Sequence, residues 1–216
     1  RLGASLPLQV KSTLLAAHAL PEEFKNDRDG YIRLIIDELV PAVAAEGLAD
    51  FIDVFCETNY FTVAEMERLL EAGARYGLKG KVHVNQFTSI GAIQSAIRHK
   101  ALSVDHLEVM EPADMDALAT ADPCPIPTLL PSCSFFIRIP YGPARQLMER
   151  DLPVALKRLM IEASGSTLDR ERRGGIAWRV RRRQRVVPGA LERQRETSAA
   201  TLAQLDADLV TGQIGR

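Results

Sequence analysis

The sequence has little cysteine: Cys56, Cys124 and Cys133 are its three in 216 residues. They form neither a disulfide framework nor a C-x-x-C zinc site, which fits a chain kept in a reducing, cytoplasmic compartment. No apolar run reaches the roughly 18 residues of a membrane span, and no basic N-terminal region precedes an apolar stretch, so membrane and secreted readings fall away. Aromatics make up 6% with a single Trp, and phosphate loops of the G-x-G-x-x-G or G-x-x-x-x-G-K type are absent. With 46% apolar and 25% charged residues and a net charge of −1, the composition is that of a globular chain long enough to bury a core without disulfides.

The small net charge conceals a break. Residues 1–156 carry 14 Lys and Arg against 21 Asp and Glu, a net of −7, whereas residues 157–216 carry 13 against 7, a net of +6. From Arg170 to Arg185, eight of sixteen residues are Arg, without helical or strand periodicity. The chain therefore divides into residues 1–156 and a basic tail, residues 157–216, of uncertain order.

In the first part, strands and helices are predicted to alternate. Leu8–Ala17 reads as a buried strand ending at His18. Residues 31–46 carry a helical apolar stripe with a kink or break at Pro41 near Val40, and Gly47 as its stop. Phe51–Phe55 is a strand, and Thr62 with Glu65 forms a capping box for a helix to Tyr76. Lys81–Val84 is a strand, followed by a helix over residues 89–99, a strand over Ser103–Val109 and a short acidic helix over Pro112–Ala119. A strand over Ile126–Leu130, a helix over Pro143–Arg150 and a strand from Pro153 follow. The strands read as apolar without alternation, the mark of a parallel sheet covered by helices.

A doubly wound sheet and a (β/α)8 barrel both fit this pattern, and the polar residues favour the barrel. His18, His83 and His106 lie at or near the C-terminal ends of strands, as do Cys56-Glu57 and Ser132-Cys133-Ser134, and in a barrel those ends converge on one site. His83, between Val82 and Val84, suits a divalent metal at the barrel mouth. His106 is placed to bond a metal-bound water or a developing oxyanion. His99 reads as a surface residue. Glu57, Asn85 and Gln86 are further rim candidates, or else helix caps and loop supports. Cys133 lacks the partner motif that a nucleophilic cysteine needs.

Several segments together resemble one family. Leu15-Ala16-Ala17-His18-Ala19-Leu20-Pro21, Gly47-Leu48-Ala49-Asp50-Phe51-Ile52-Asp53-Val54-Phe55-Cys56-Glu57, Lys81-Val82-His83-Val84-Asn85-Gln86-Phe87, Ser103-Val104-Asp105-His106-Leu107 and Leu130-Pro131-Ser132-Cys133-Ser134-Phe135-Phe136, with Pro140-Tyr141-Gly142-Pro143-Ala144-Arg145, are similar in order and spacing to imidazolonepropionase, an amidohydrolase-superfamily enzyme of histidine degradation. The resemblance runs from about Leu8 to Leu156. It implies a (β/α)8 barrel with one zinc or iron ion, hydrolysing the ring amide of 4-imidazolone-5-propanoate to N-formimidoyl-L-glutamate. It also implies His83 as a metal ligand, His18 and Gln86 as substrate-contacting residues, and His106 as the catalytic or oxyanion-stabilising histidine. The partner implied is that small substrate; a homodimer of the intact enzyme stays open.

Parts of the family pattern are missing. No H-x-H pair occurs to supply two ligands, and the expected substrate-binding Arg and Tyr are not found. Val154-Ala155-Leu156 runs into Lys157-Arg158-Leu159-Met160 rather than the family's Ala-Ser/Thr-Asp, whose Asp is the last ligand. The chain is thus expected to begin around the third barrel strand. A frameshift is one expected explanation of the tail: codons for Lys157-Arg158-Leu159-Met160 can be AAG CGT CTG ATG, and two bases later the same run reads Ala-Ser-Asp. A nucleic-acid-binding arm is the rival for the tail, disfavoured because only Trp178 offers stacking. His83 alone cannot hold a catalytic metal, so this polypeptide is expected to be inactive. The alternatives are a cyclic amidine or aminopurine deaminase, against which the Ser132–Phe136 and A-A-H-A-L-P segments weigh, and a non-catalytic remnant that self-associates through open strand edges.

Overall fold

A computed structural model describes residues 10–157. The nucleic-acid and frameshift readings of the tail concern residues outside that range, apart from Lys157. Among the described residues, six parallel strands form one sheet in the order β1 (Thr13–Ala17), β2 (Phe51–Cys56), β3 (Lys79–Val84), β4 (Ser103–His106), β5 (Ile126–Leu129) and β6 (Ala155–Leu156). Spatial order equals chain order. Right-handed crossovers that always step in one direction leave every helix on the same face. A doubly wound sheet instead reverses its order at a switch point, so the winding is that of a (β/α) barrel.

The helices are α1 (Arg28–Leu34), α2 (Val40–Ala45), α3 (Val63–Arg75), α4 (Ala92–Arg98), α5 (Pro112–Thr120), α6 (Pro131–Ile137) and α7 (Ala144–Glu149). Between α1 and α2, residues Ile35–Leu39 form a π turn. The break expected at Pro41 thus comes just before it: a proline ring crowds the carbonyl four residues earlier, and widening the preceding turn relieves the clash. Helix α3 starts as expected, with Thr62 Oγ1 accepting from the Glu65 amide and the Glu65 side chain accepting from the Thr62 amide. Gly47 and Gly77 end their helices at φ +63° and +79°, where a Cβ is disfavoured.

Four expectations are corrected. Strand β1 begins at Thr13 rather than Leu8, and β4 stops at His106 rather than Val109, because His106 and Leu107 take positive φ (+86° and +65°). Ser132-Cys133-Ser134, expected at a strand end, lie instead in helix α6 (Pro131–Ile137), with Pro131 in its first turn, where a proline's missing N–H costs nothing. Most consequentially, the strands do alternate. Ile52, Val54, Cys56, Val82, Val84 and Val104 are buried in the apolar core that the helices also enter, whereas Asp53, Phe55, Lys81 and His83 line a cleft on the other face. Polar residues recur on the inner face because it carries paired charges instead of packed side chains.

Core packing is close where α3 crosses β2. A Cβ on Gly73 would fall 2.5 Å from Ile52 Cγ2. Gly73→Ala is therefore expected to destabilise the protein by about 1–2 kcal/mol, the overpacking cost exceeding the roughly 1 kcal/mol that Ala gains over Gly in a helix. Ile52→Leu, which lacks the offending γ-methyl, should recover part of that loss. Urea unfolding midpoints of the single and double variants check this.

Candidate functional site

The inner face of the sheet opens into a cleft of about 470 Å³. It is built from the ends of consecutive strands. His18 follows β1, His83 is the penultimate residue of β3 and His106 the last of β4. His18, His83, Gln86, His106 and Cys133 all line this cleft. The four residues expected to act on metal and substrate therefore share one space.

His83 is held by a residue that the sequence reading passed over. Its Nδ1 lies 2.9 Å from Asp53 Oδ1, both side chains buried. A carboxylate accepts only from a protonated nitrogen, so Nδ1 carries a hydrogen, and in the neutral ring that leaves the lone pair on Nε2. This is the arrangement in which a histidine serves as a metal ligand through Nε2. The period-two alternation of Asp53 and Phe55 against apolar Ile52 and Val54 was the signal that could have found Asp53.

His106 reaches the cleft differently. Alternation on β4 puts Ser103 and Asp105 on one face and Val104 on the other, so the same period would turn His106 away with Val104. Its φ of +86° breaks the period, and its ring stands 5.3 Å from that of His83, inclined by 51°. A residue held at positive φ despite a bulky side chain is found where structure around it enforces a functional geometry. The segment at Gly142 packs closely on this turn: a Cβ there would come within 3.1 Å of the Leu107 carbonyl oxygen and 2.8 Å of Leu129.

His18 stacks on Phe55 at 5.4 Å and 22°. Partial burial, then the neighbouring His83, holds its imidazole below the ordinary value, with Asp53 pulling the other way. Gln86 is buried, with Nε2 3.8 Å from Cys133 Sγ. Burial, reinforced by Glu108, pushes the Cys133 thiol up, the opposite of what a nucleophile requires.

The remaining rim candidates are supports. Glu57 accepts from the amides of Thr58, Phe87 and Thr88 at 2.8, 2.9 and 3.2 Å and from the Thr88 hydroxyl, tying the loop after β2 to that after β3. Asn85 Nδ2 donates to the Val109 carbonyl and to Asp114, each at 2.9 Å. His99 caps α4, bonded to the Ser95 carbonyl at 3.0 Å, and is not among the cleft residues.

A catalytic zinc site takes three protein ligands and leaves a position for water. Among the described residues no group of three His, Cys, Asp or Glu is placed to hold a metal ion. His83 presents one prepared nitrogen and His106 a second imidazole beside it, so these residues alone do not complete a site.

Six parallel strands wound in one direction, with imidazoles gathered at their C-terminal ends, define part of a (β/α) barrel. Adenine deaminase from Arthrobacter aurescens superposes with a TM-score of 0.53 at 14% identity, over 71% of this chain and 46% of that one. An amidohydrolase from Burkholderia ambifaria, with bound zinc, gives 0.53 at 14%, over 72% and 43%. No family model matches the chain. Sequence relatives are more specific: imidazolonepropionases from Flavobacterium psychrophilum, Christiangramia forsetii and Myxococcus xanthus are 52%, 51% and 45% identical over 156 or 157 residues. Over those residues the chain is similar to the imidazolonepropionases. The match covers 72% of this chain and 37–38% of the length of those relatives.

Asp105, also missed in the sequence, pairs with two lysines that line the cleft. Burial opposes its ionisation, but Lys81 at 3.7 Å, Lys157 at 3.3 Å, His83 and the Ser103 hydroxyl outweigh burial and hold its carboxyl below the ordinary value. A depressed folded value contributes stability above the unfolded value of about 3.9, and that stability is lost as pH falls through the folded value. Asp105→Asn should thus cost on the order of 1–3 kcal/mol near neutral pH and flatten the acid limb below about pH 4. Unfolding free energy measured from pH 2 to 7 checks both.

Proposed function

We propose that residues 10–157 form one wall of an imidazolonepropionase active site, in a cytoplasmic enzyme that hydrolyses the ring amide of 4-imidazolone-5-propanoate to N-formimidoyl-L-glutamate. The observation that carries this reading is the convergence of His18, His83, Gln86 and His106 on one cleft, in a chain 52% identical to an imidazolonepropionase. Three free cysteines fit the compartment.

In this reading His18 and Gln86 contact the substrate: the imidazole stacked on Phe55 offers a flat surface and a polar edge to a planar ring, and the Gln86 amide offers both a donor and an acceptor. His106 exchanges hydrogen bonds with the attacking water or the developing oxyanion. His83 is a ligand to one zinc or iron ion. When bound, such an ion lowers the pKa of water towards 7 and so makes hydroxide available at neutral pH. Its remaining ligands come from outside residues 10–157, and we infer that this 216-residue polypeptide by itself does not turn over.

A second reading rests on the sheet edges. Among the described residues β1 and β6 each pair on one side only, and unpaired parallel edges invite association between chains. Sedimentation over a tenfold concentration range separates a concentration-dependent oligomer from a monomer or a fixed homodimer.

Calorimetric titration with 4-imidazolone-5-propanoate tests the substrate contacts. His18→Ala and Gln86→Ala are each expected to weaken binding about fivefold, the worth of roughly one hydrogen bond of 1 kcal/mol; affinities equal to wild type would remove both residues from the site. Metal analysis after dialysis, run beside a hydrolysis assay, is expected to find far less than one zinc or iron per chain and no turnover. Near-stoichiometric metal with turnover would overturn the incomplete donor set.

A further inference from the structure

Glu108 is a buried carboxylate with no part in the reading above. It lies two residues beyond β4, and its side chain is 1% exposed. One oxygen, Oε1, accepts from the Ser134 hydroxyl at 2.7 Å, and Ser134 is itself buried on α6. The other oxygen, Oε2, has no hydrogen-bond partner.

Among the described residues four buried side-chain atoms lack a partner: Asn85 Oδ1, Gln94 Oε1, Glu108 Oε2 and His106 Nδ1. Three of them only accept. His106 Nδ1 alone can donate, and it stands 3.4 Å from Glu108 Oε2, within reach but not aligned as a hydrogen bond. A buried polar atom without a partner is costly, and a carboxylate oxygen especially so. The positive φ of His106 and Leu107 folds the chain back so that residue 108 meets residue 106, while Ser134 fixes the far side of the carboxylate.

We infer that Glu108 is a positioning residue for His106: it accepts the Nδ1–H, selects that tautomer, and leaves the Nε2 lone pair for the cleft. The arrangement repeats on the neighbouring strand, where Asp53 takes the Nδ1 of His83. Two carboxylate-backed imidazoles, 5.3 Å apart, thus present the same nitrogen to one space. The inference rests on the proposed role of His106 for its meaning in catalysis, and it narrows that role. An unprotonated Nε2 accepts a hydrogen bond from water and takes its proton as the water attacks. Only after that transfer can the same nitrogen donate, to the oxyanion or to the departing amide nitrogen. Glu108 stabilises the proton on Nδ1 throughout and does not itself take it up.

Nitrogen NMR of histidine-labelled protein at pH 8, where a free imidazole is neutral, tests this without any assay of activity. The chain has four histidines, so loss of one signal pair in His106→Gln assigns the residue. In wild type, His106 is expected to show a protonated Nδ1 and an unprotonated Nε2. Glu108→Ala should shift the pair towards the Nε2–H pattern and leave His83 unchanged; Glu108→Gln, which keeps an acceptor oxygen, should preserve it. An Nε2–H His106 in wild type overturns the inference, even if Glu108→Ala fails to fold. So does a Glu108→Ala spectrum identical to wild type, which would make Glu108 a partner of Ser134 alone. A protein that binds no substrate yet shows the expected spectrum counts against the proposed function and sustains this inference.

Discussion

Charge on the inner face of the sheet has to be paired, and much of the rest follows from that. Asp53 and Asp105 are 3% and 0% exposed, and an ionised carboxylate removed from water is tolerable only with donors or cations beside it. Asp53 takes His83; Asp105 takes Lys81, Lys157 and Ser103. These residues come from neighbouring strands in register, with Asp53 opposite Lys81 and His83 opposite Asp105. The pairing that solves an electrostatic problem also orients the imidazole at the mouth. A hydrophobic inner face would pack more simply but would leave His83 free to rotate.

The backbone makes a second contribution at His106. An ordinary strand end would bury its side chain against the helices, among residues such as Leu107 and Leu147. Positive φ at two successive non-glycine residues redirects it, and the Gly142 segment packs closely on the turn. Loops after β2 and β3 are meanwhile fastened to each other through Glu57, and the loop after β3 to that after β4 through Asn85. The cleft is therefore lined by side chains whose supports are shared between adjacent strand–loop units, so that displacing one displaces its neighbour.

Much of the architecture was legible because its causes are local. The Thr62–Glu65 capping box, the glycine stops at Gly47 and Gly77 and the short apolar strands depend on residues within one turn or one strand. The π turn before Pro41 and helix α6 were less legible: the first is one of several ways a chain relieves a proline, and the second begins with Pro-Ser-Cys-Ser, which reads equally as loop. His18, His83, Gln86 and His106 could be picked out by position at strand ends and by resemblance to a family. Asp53, Asp105 and Glu108 could not, since a lone acidic residue in or beside a strand says nothing of its partner thirty residues away.

By itself, then, the sequence determined an alternating α/β chain with parallel strands, the residues that stand at their C-terminal ends, and the family that some 156 residues resemble. Tertiary structure decided the direction of winding, the face on which each charge falls, and the carboxylate that meets each imidazole. The division has a physical cause. Caps, turns and periodicity arise from steric and hydrogen-bonding preferences within a few residues, whereas the pairing of buried charges is settled only when distant strands come into register and water is excluded between them.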